Sequence, residues 1–182
     1  MIRFPVLFTP KVKPGADKAN FGLKAAIEPG SENTRKINAE IKRVCDAKWG
    51  AKSQTIQDNF TRTGRKPDVC FIEAPYTSMD GDVWNGFEGK YTLTAASQAS
   101  KPPLVVDADR TPLRESDGRP VDGSICNISV KIYAHEHKTA GRSVRAQIVG
   151  VQFVRHGNLE GAGVTSDGSE FEVIAPSDED FV

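Results

Sequence analysis

The sequence predicts a mainly β protein, a small closed or partly closed antiparallel barrel with one amphipathic helix and long loops. Three observations carry that expectation. Two long runs, 126–136 and 144–155, alternate apolar and polar residues and are joined by a short polar loop, which is the pattern of a β-hairpin. Shorter strand-like runs upstream recur at even spacing between turn residues. One stretch, about 32–48, has helical periodicity instead.

Taken in order, residues 3–9 have the β-branched and aromatic content of a strand, and Pro5 assigns it to an edge or a bulge. Lys11 and Lys13 follow, then Pro14-Gly15 and a second extended run over 20–27, so the two runs make a long bent strand or a hairpin around a basic loop. Ser31 is placed to cap a helix whose first turn carries Glu32, since a hydroxyl can accept from a free backbone N–H there and a carboxylate suits the positive end of the helix dipole. Ile37, Ile41, Val44, Cys45 and Trp49 form its apolar stripe, and Gly50 ends it. The helix is therefore expected to pack on a sheet. Residues 51–68 read as a polar loop with a basic cluster at Arg62, Arg65 and Lys66. A short strand over 69–73 precedes a turn-rich loop that carries Tyr76, Trp84 and Phe87, either as a satellite core or as stacking surfaces. Lys90 and Tyr91 open the next alternating run, and Lys101 with two prolines leads into a short apolar run at 104–106.

At 182 residues and 38% hydrophobic content, the chain can bury a core and fits one domain with an appendage. No run approaches the roughly eighteen apolar residues of a membrane span, and the start lacks a basic segment followed by an apolar one. A soluble, cytoplasmic protein is expected. Cys45, Cys70 and Cys126 are odd in number and widely spaced, which fits reduced core thiols rather than disulfides or a zinc site. Formal charge is zero, yet residues 157–182 hold seven acids and no Lys or Arg, which leaves +7 on the body. A basic body suits a polyanion, and an acidic tail can compete for the same surface or recruit a basic partner. The division is residues 1–157 as a binding domain and 158–182 as an acidic, largely disordered tail.

Within the hairpin, Cys126, Ile128, Val130, Ile132 and Ala134 point one way, and Lys131 and Tyr133 stand side by side on the other face. Lys90-Tyr91 and Phe153-x-Arg155 repeat the pairing of a cation with a ring. A cation neutralises phosphate while a ring stacks on any base, which is the recipe for sequence-tolerant single-strand binding. The candidate contacts are thus those three pairs together with Lys11, Lys13, Lys101 and the loop rings Trp84 and Phe87. Against them stand two other classes. Val105 to Thr111 contains Asp107-x-Asp109-x-Thr after an apolar strand, a magnesium-phosphatase signature, but no βα units follow it, and Asp107 or Asp109 serves equally well as a turn acceptor. The other is a module whose basic face binds an acidic protein. His135 and His137 share one strand face without a third ligand, and no cofactor motif or metal set is found.

The runs at 89–97, 101–109 and 149–155, the last reading Val-Gly-Val-Gln-Phe-Val-Arg, resemble the tailed-phage single-stranded DNA-binding proteins of the enterobacterial-phage type. The resemblance implies a non-enzymatic OB-fold, a five-stranded antiparallel barrel, that coats single-stranded DNA during phage replication and recombination. It also implies the host cytoplasm as its setting. The end Asp178-Glu179-Asp180-Phe181 is similar to the acidic, aromatic-bearing tails of such proteins, including the phage T-seven replication protein. That similarity implies replication proteins as tail partners.

Overall fold

The computed structural model describes residues 1–62, 67–139 and 141–157. Arg65, Lys66 and the acidic tail with Asp178, Glu179, Asp180 and Phe181 lie outside the described residues. The chain folds into β1 (Ile2–Val12), β2 (Ala19–Ile27), α1 (Glu32–Trp49), α2 (Ser53–Asp58), β3 (Phe71–Ile72), β4 (Tyr91–Gln98), β5 (Leu104–Val106), β6 (Ile125–His137) and β7 (Gly141–Arg155). It is mainly β, with one long helix.

The strands form two sheets, one ordered β1-β2-β4-β3 and the other β5-β7-β6. β1 is an edge strand, where Pro5 leaves no ladder hydrogen bond unmade, and its register with β2 slips between Arg3 and Val6. β1 and β2 pair antiparallel, so the hairpin and not the long bent strand is formed. The sheets are joined at several places. The buried Ser97 hydroxyl on β4 donates to the Ile148 carbonyl on β7 at 2.7 Å. The segment before β3 bonds both ways, with Thr94 N donating to Cys70 O and Val144 N to Asp68 O. At the opposite end Ile2 N donates to Ser124 O, and Gly123 N to Ile2 O.

The alternation predicted for β6 is observed: Ile132 is buried and Cys126, Ile128, Val130 and Ala134 are half-buried, whereas Asn127, Ser129, Lys131, Tyr133 and His135 are exposed. The core combines Leu23, Leu93, Ile132, Ile148 and Val151 from the strands with Ile41, Val44 and Cys45 from α1. Ser31 caps α1 as expected, its hydroxyl accepting from Thr34 N at 3.2 Å. All three cysteines are free, and burial pushes the thiols of Cys45 and Cys70 up to about 11 and 12. Among the described residues, no helix is long and apolar enough to cross a membrane.

Three expectations are corrected. The stretch after α1 is not all loop, because Ser53 and Ile56 bury one side of the six-residue helix α2. The described strands number seven, not five, and lie in two sheets. β5 runs parallel to β7, with Val105 beside Val151. β6 intervenes between them in the chain, so no hairpin turn forces β5 and β7 to be antiparallel.

Candidate nucleic-acid interface

Lys131 and Tyr133 project from the exposed face of β6, and register places Gln147 of β7 opposite Lys131. The Ser97 bond holds β4 against β7, so the outward Ala96 and Gln98 of β4 continue the same surface. Lys101, just past β4, closes the side. Together these residues line a groove of about 370 Å³. Lys131 and Tyr133 come from one strand, and Lys101 lies 30 residues earlier in the chain. Tyr133 is 39% exposed, leaving ring surface open to a ligand.

The face extends across β2. Asn20, Gly22 and Lys24 lie beside Gln98, Ala96 and Thr94, and Lys11 of β1 pairs with Asn20, which puts it in the same row. Lys13 reaches over Gly22, its Nζ 3.6 Å from where a Cβ would stand. Lys24 donates to Thr94 Oγ1 at 3.0 Å and lies 3.9 Å from the centroid of the Tyr76 ring. Tyr76 is stacked on Trp84 at 6.4 Å, and Phe4 meets Trp84 edge-on at 5.0 Å. Burial, then the nearby Lys13 ammonium, lower the Lys24 pKa to about 8, while the π face of Tyr76 works in the opposite direction.

That depression has a measurable consequence for stability. The folded pKa lies below the unfolded value, so above about pH 8 the unfolded chain binds more protons and stability rises with pH towards the ordinary lysine range. The melting temperature of the wild type should gain on that of Lys24→Met between about pH 8 and pH 10. A constant difference across that range would show that Lys24 is not buried as a cation.

Other predicted site residues lie elsewhere. Lys90 is bound by Glu28 at 2.6 Å, and the half-buried Tyr91 packs edge-on against Phe71 at 5.9 Å. Phe87 is 0% exposed and Phe153 is 7% exposed, so neither ring has a face for a base. These two are corrections. Phe153 follows Val151 on the core side of β7, and Phe87 is tucked under the loop by bonds from its N–H to Trp84 O and from Lys90 N to its carbonyl. Arg155 pairs with Ile125 at the far end of β6 from Tyr133. Phe4, Lys24 and Gln147 were not singled out from the sequence. Lys24 had a signal, as the one cation within the alternation of β2, whereas Phe4 reads as core in an apolar run.

Asp107 and Asp109 are used by the turn. Asp107 is held by Arg119 at 2.5 Å and accepts from Ala108 N, and Asp109 accepts from Thr111 N at 2.8 Å. These hydrogen bonds hold both carboxyl groups below their ordinary values, Asp107 chiefly through Arg119 and Asp109 through Thr111. The turn-acceptor reading accounts for the motif.

The sequence model of a family described as Enterobacter phage Enc34, ssDNA-binding protein, matches residues 1–182. The chain belongs to that family. The Enc34 family is one of DNA-binding proteins and not of enzymes, which answers the phosphatase alternative. A curated relative, the putative protein p50 of Acyrthosiphon pisum secondary endosymbiont phage 1, is 29% identical over 98% of this chain and 92% of its own. Among solved structures, the single-stranded DNA-binding protein from bacteriophage Enc34 in complex with ssDNA is similar in fold, with a TM-score of 0.66. It shares 13% identity, covering 87% of this chain and 84% of that one. The bacteriophage T7 single-stranded DNA-binding protein gp2.5 has a TM-score of 0.54 at 15% identity, covering 96% and 98% of the two chains. The mainly β arrangement with one long helix is thus shared with both.

Proposed function

We propose that this member of the Enc34 family binds single-stranded DNA without strong sequence preference, on an OB-fold-like scaffold, during phage DNA replication and recombination in the host cytoplasm. Family membership supports the class of ligand, and one observation supports the location: Lys101, Lys131 and Tyr133 line a single open groove. Tyr133 stacks on a base, while Lys131 and Lys101 meet backbone phosphates. Lys11 and Lys13 extend the cationic surface along β1. Stacking is indifferent to base identity because every base has a π face, and phosphate contacts carry no sequence information.

The test is titration of a fluorescent oligothymidine at several salt concentrations. Four phosphate contacts predict that log K falls with log salt at a slope of about −3. A slope near zero, or no binding, would leave the groove without this role and favour an acidic protein as its partner.

The acidic tail acts as a tethered competitor and as a hook for replication proteins. It holds negative charge near the basic face at high effective concentration but offers no bases to stack. Removing residues 166–182 deletes Asp167, Glu170, Glu172, Asp178, Glu179 and Asp180. DNA affinity should rise, most at low salt and less once the Debye length falls below about 10 Å. Equal affinity of the full-length and truncated proteins at low salt would remove the competitor role. Phe181→Ala should leave DNA affinity unchanged and weaken pull-down of replication proteins; an undiminished pull-down by the truncated chain would remove the hook.

A further inference from the structure

Some 13 Å along β4 from Gln98, the outer face ends at a second meeting of rings and cations beside Thr94. Phe4 and Trp84 are 37% and 40% exposed, with Tyr76 between them and Lys24. This is not an ordinary satellite core. Phe4 has a φ of 52°, in a region that non-glycine residues rarely adopt, at the point where β1 slips register. A bulge with this geometry re-aims a side chain, and here it turns the ring of an edge-strand residue out towards Trp84.

The strained residue is held in place from both sides. Phe4 N donates to Asp122 Oδ1 at 2.6 Å, and the buried Arg3 donates through Nε to the same carboxylate at 3.1 Å. Arg3 also donates to the carbonyl of Asn85, tying the Trp84 loop to the bulge. Arg3 is thereby neutralised, but Lys13 and Lys24, which lie close enough to repel, have no carboxylate partner among the described residues. Two neighbouring ammonium groups gain from an anion between them, and exposed rings beside that anion gain from a flat apolar partner.

We infer that Phe4, Tyr76, Trp84, Lys13 and Lys24 form a second nucleotide subsite, taking an unstacked base against the exposed rings and its flanking phosphate on the two lysines. The inference rests on the reading that the groove at Tyr133 binds single-stranded DNA. A strand lying along the outer face of β4 spans both subsites, so binding strengthens with length in two steps. A short oligonucleotide fills one subsite, and only a longer one fills both.

The experiment compares oligothymidines of about four and about twelve nucleotides, both within the range of about 4–16 nucleotides for one OB-fold. Trp84→Ala and Lys24→Gln should weaken the twelve-mer by about fivefold or more and leave the four-mer within about twofold, whereas Tyr133→Ala should weaken both. Trp84→Phe should restore twelve-mer binding, because a ring remains. In a Trp49→Phe background the remaining indole is Trp84, and saturating twelve-mer should quench it. Unchanged twelve-mer affinity in Trp84→Ala, with Tyr133→Ala impaired, would overturn the second subsite alone. No effect from any of the three would overturn the groove reading as well. Unquenched Trp84 fluorescence at saturation, a readout independent of whether the alanine variant folds, would also overturn the second subsite.

Discussion

Tyr133→Ala should weaken oligothymidine binding by roughly 1–3 kcal/mol, or about 5–150-fold, with little change in stability. The ring stands 39% exposed on a strand whose neighbouring buried residues point the other way, so its removal opens no cavity in the core. What is lost is a stacking surface. Lys131→Ala, two residues away on the same face, should act differently. It removes one phosphate contact, so the plot of log K against log salt should flatten by about 0.7, the single-strand value per contact. The two variants therefore separate stacking from charge at one place. Unchanged affinity in a folded Tyr133→Ala protein would mean that the strand does not lie in this groove, and an unchanged slope in Lys131→Ala would remove the phosphate contact assigned there.

Asp122→Ala should destabilise the protein by about 3 kcal/mol, at the low end of the range for breaking a buried ion pair because the Asp122 side chain is 42% exposed. Its partner, the Arg3 side chain, is only 8% exposed, so the substitution leaves a cation that water reaches poorly. The Phe4 amide loses its acceptor in the same step. For a domain of this size the melting temperature should fall by about 6–12 °C. Asp122→Asn should recover part of the loss, since its carbonyl oxygen can still accept from Phe4 N but carries no charge to meet Arg3. A fall of less than about 2 °C in Asp122→Ala would show that the bulge is held by its sheet contacts and not by this clamp.

Several elements were legible because their causes lie within a few residues. The cap at Ser31 needs only its own hydroxyl and the N–H of Thr34, and the edge position of β1 follows from the missing donor of Pro5. The hairpin and the shared face of Lys131 and Tyr133 follow from a period of two. The short helix α2 was not legible, since six residues give too little periodicity to distinguish it from a loop.

Sequence alone thus determined the mainly β class, the long helix and the Lys131–Tyr133 pair that faces outward. Tertiary structure decided which of the other rings and cations join that pair. Phe87 and Phe153 went into the interior and Lys90 went to Glu28, while Lys101 and Lys24 were carried to the open face by the pairing of β4 with β2 and its bond to β7. The physical reason is that a side chain's face follows from its own strand, whereas its neighbours across a sheet depend on register and on which distant strands meet.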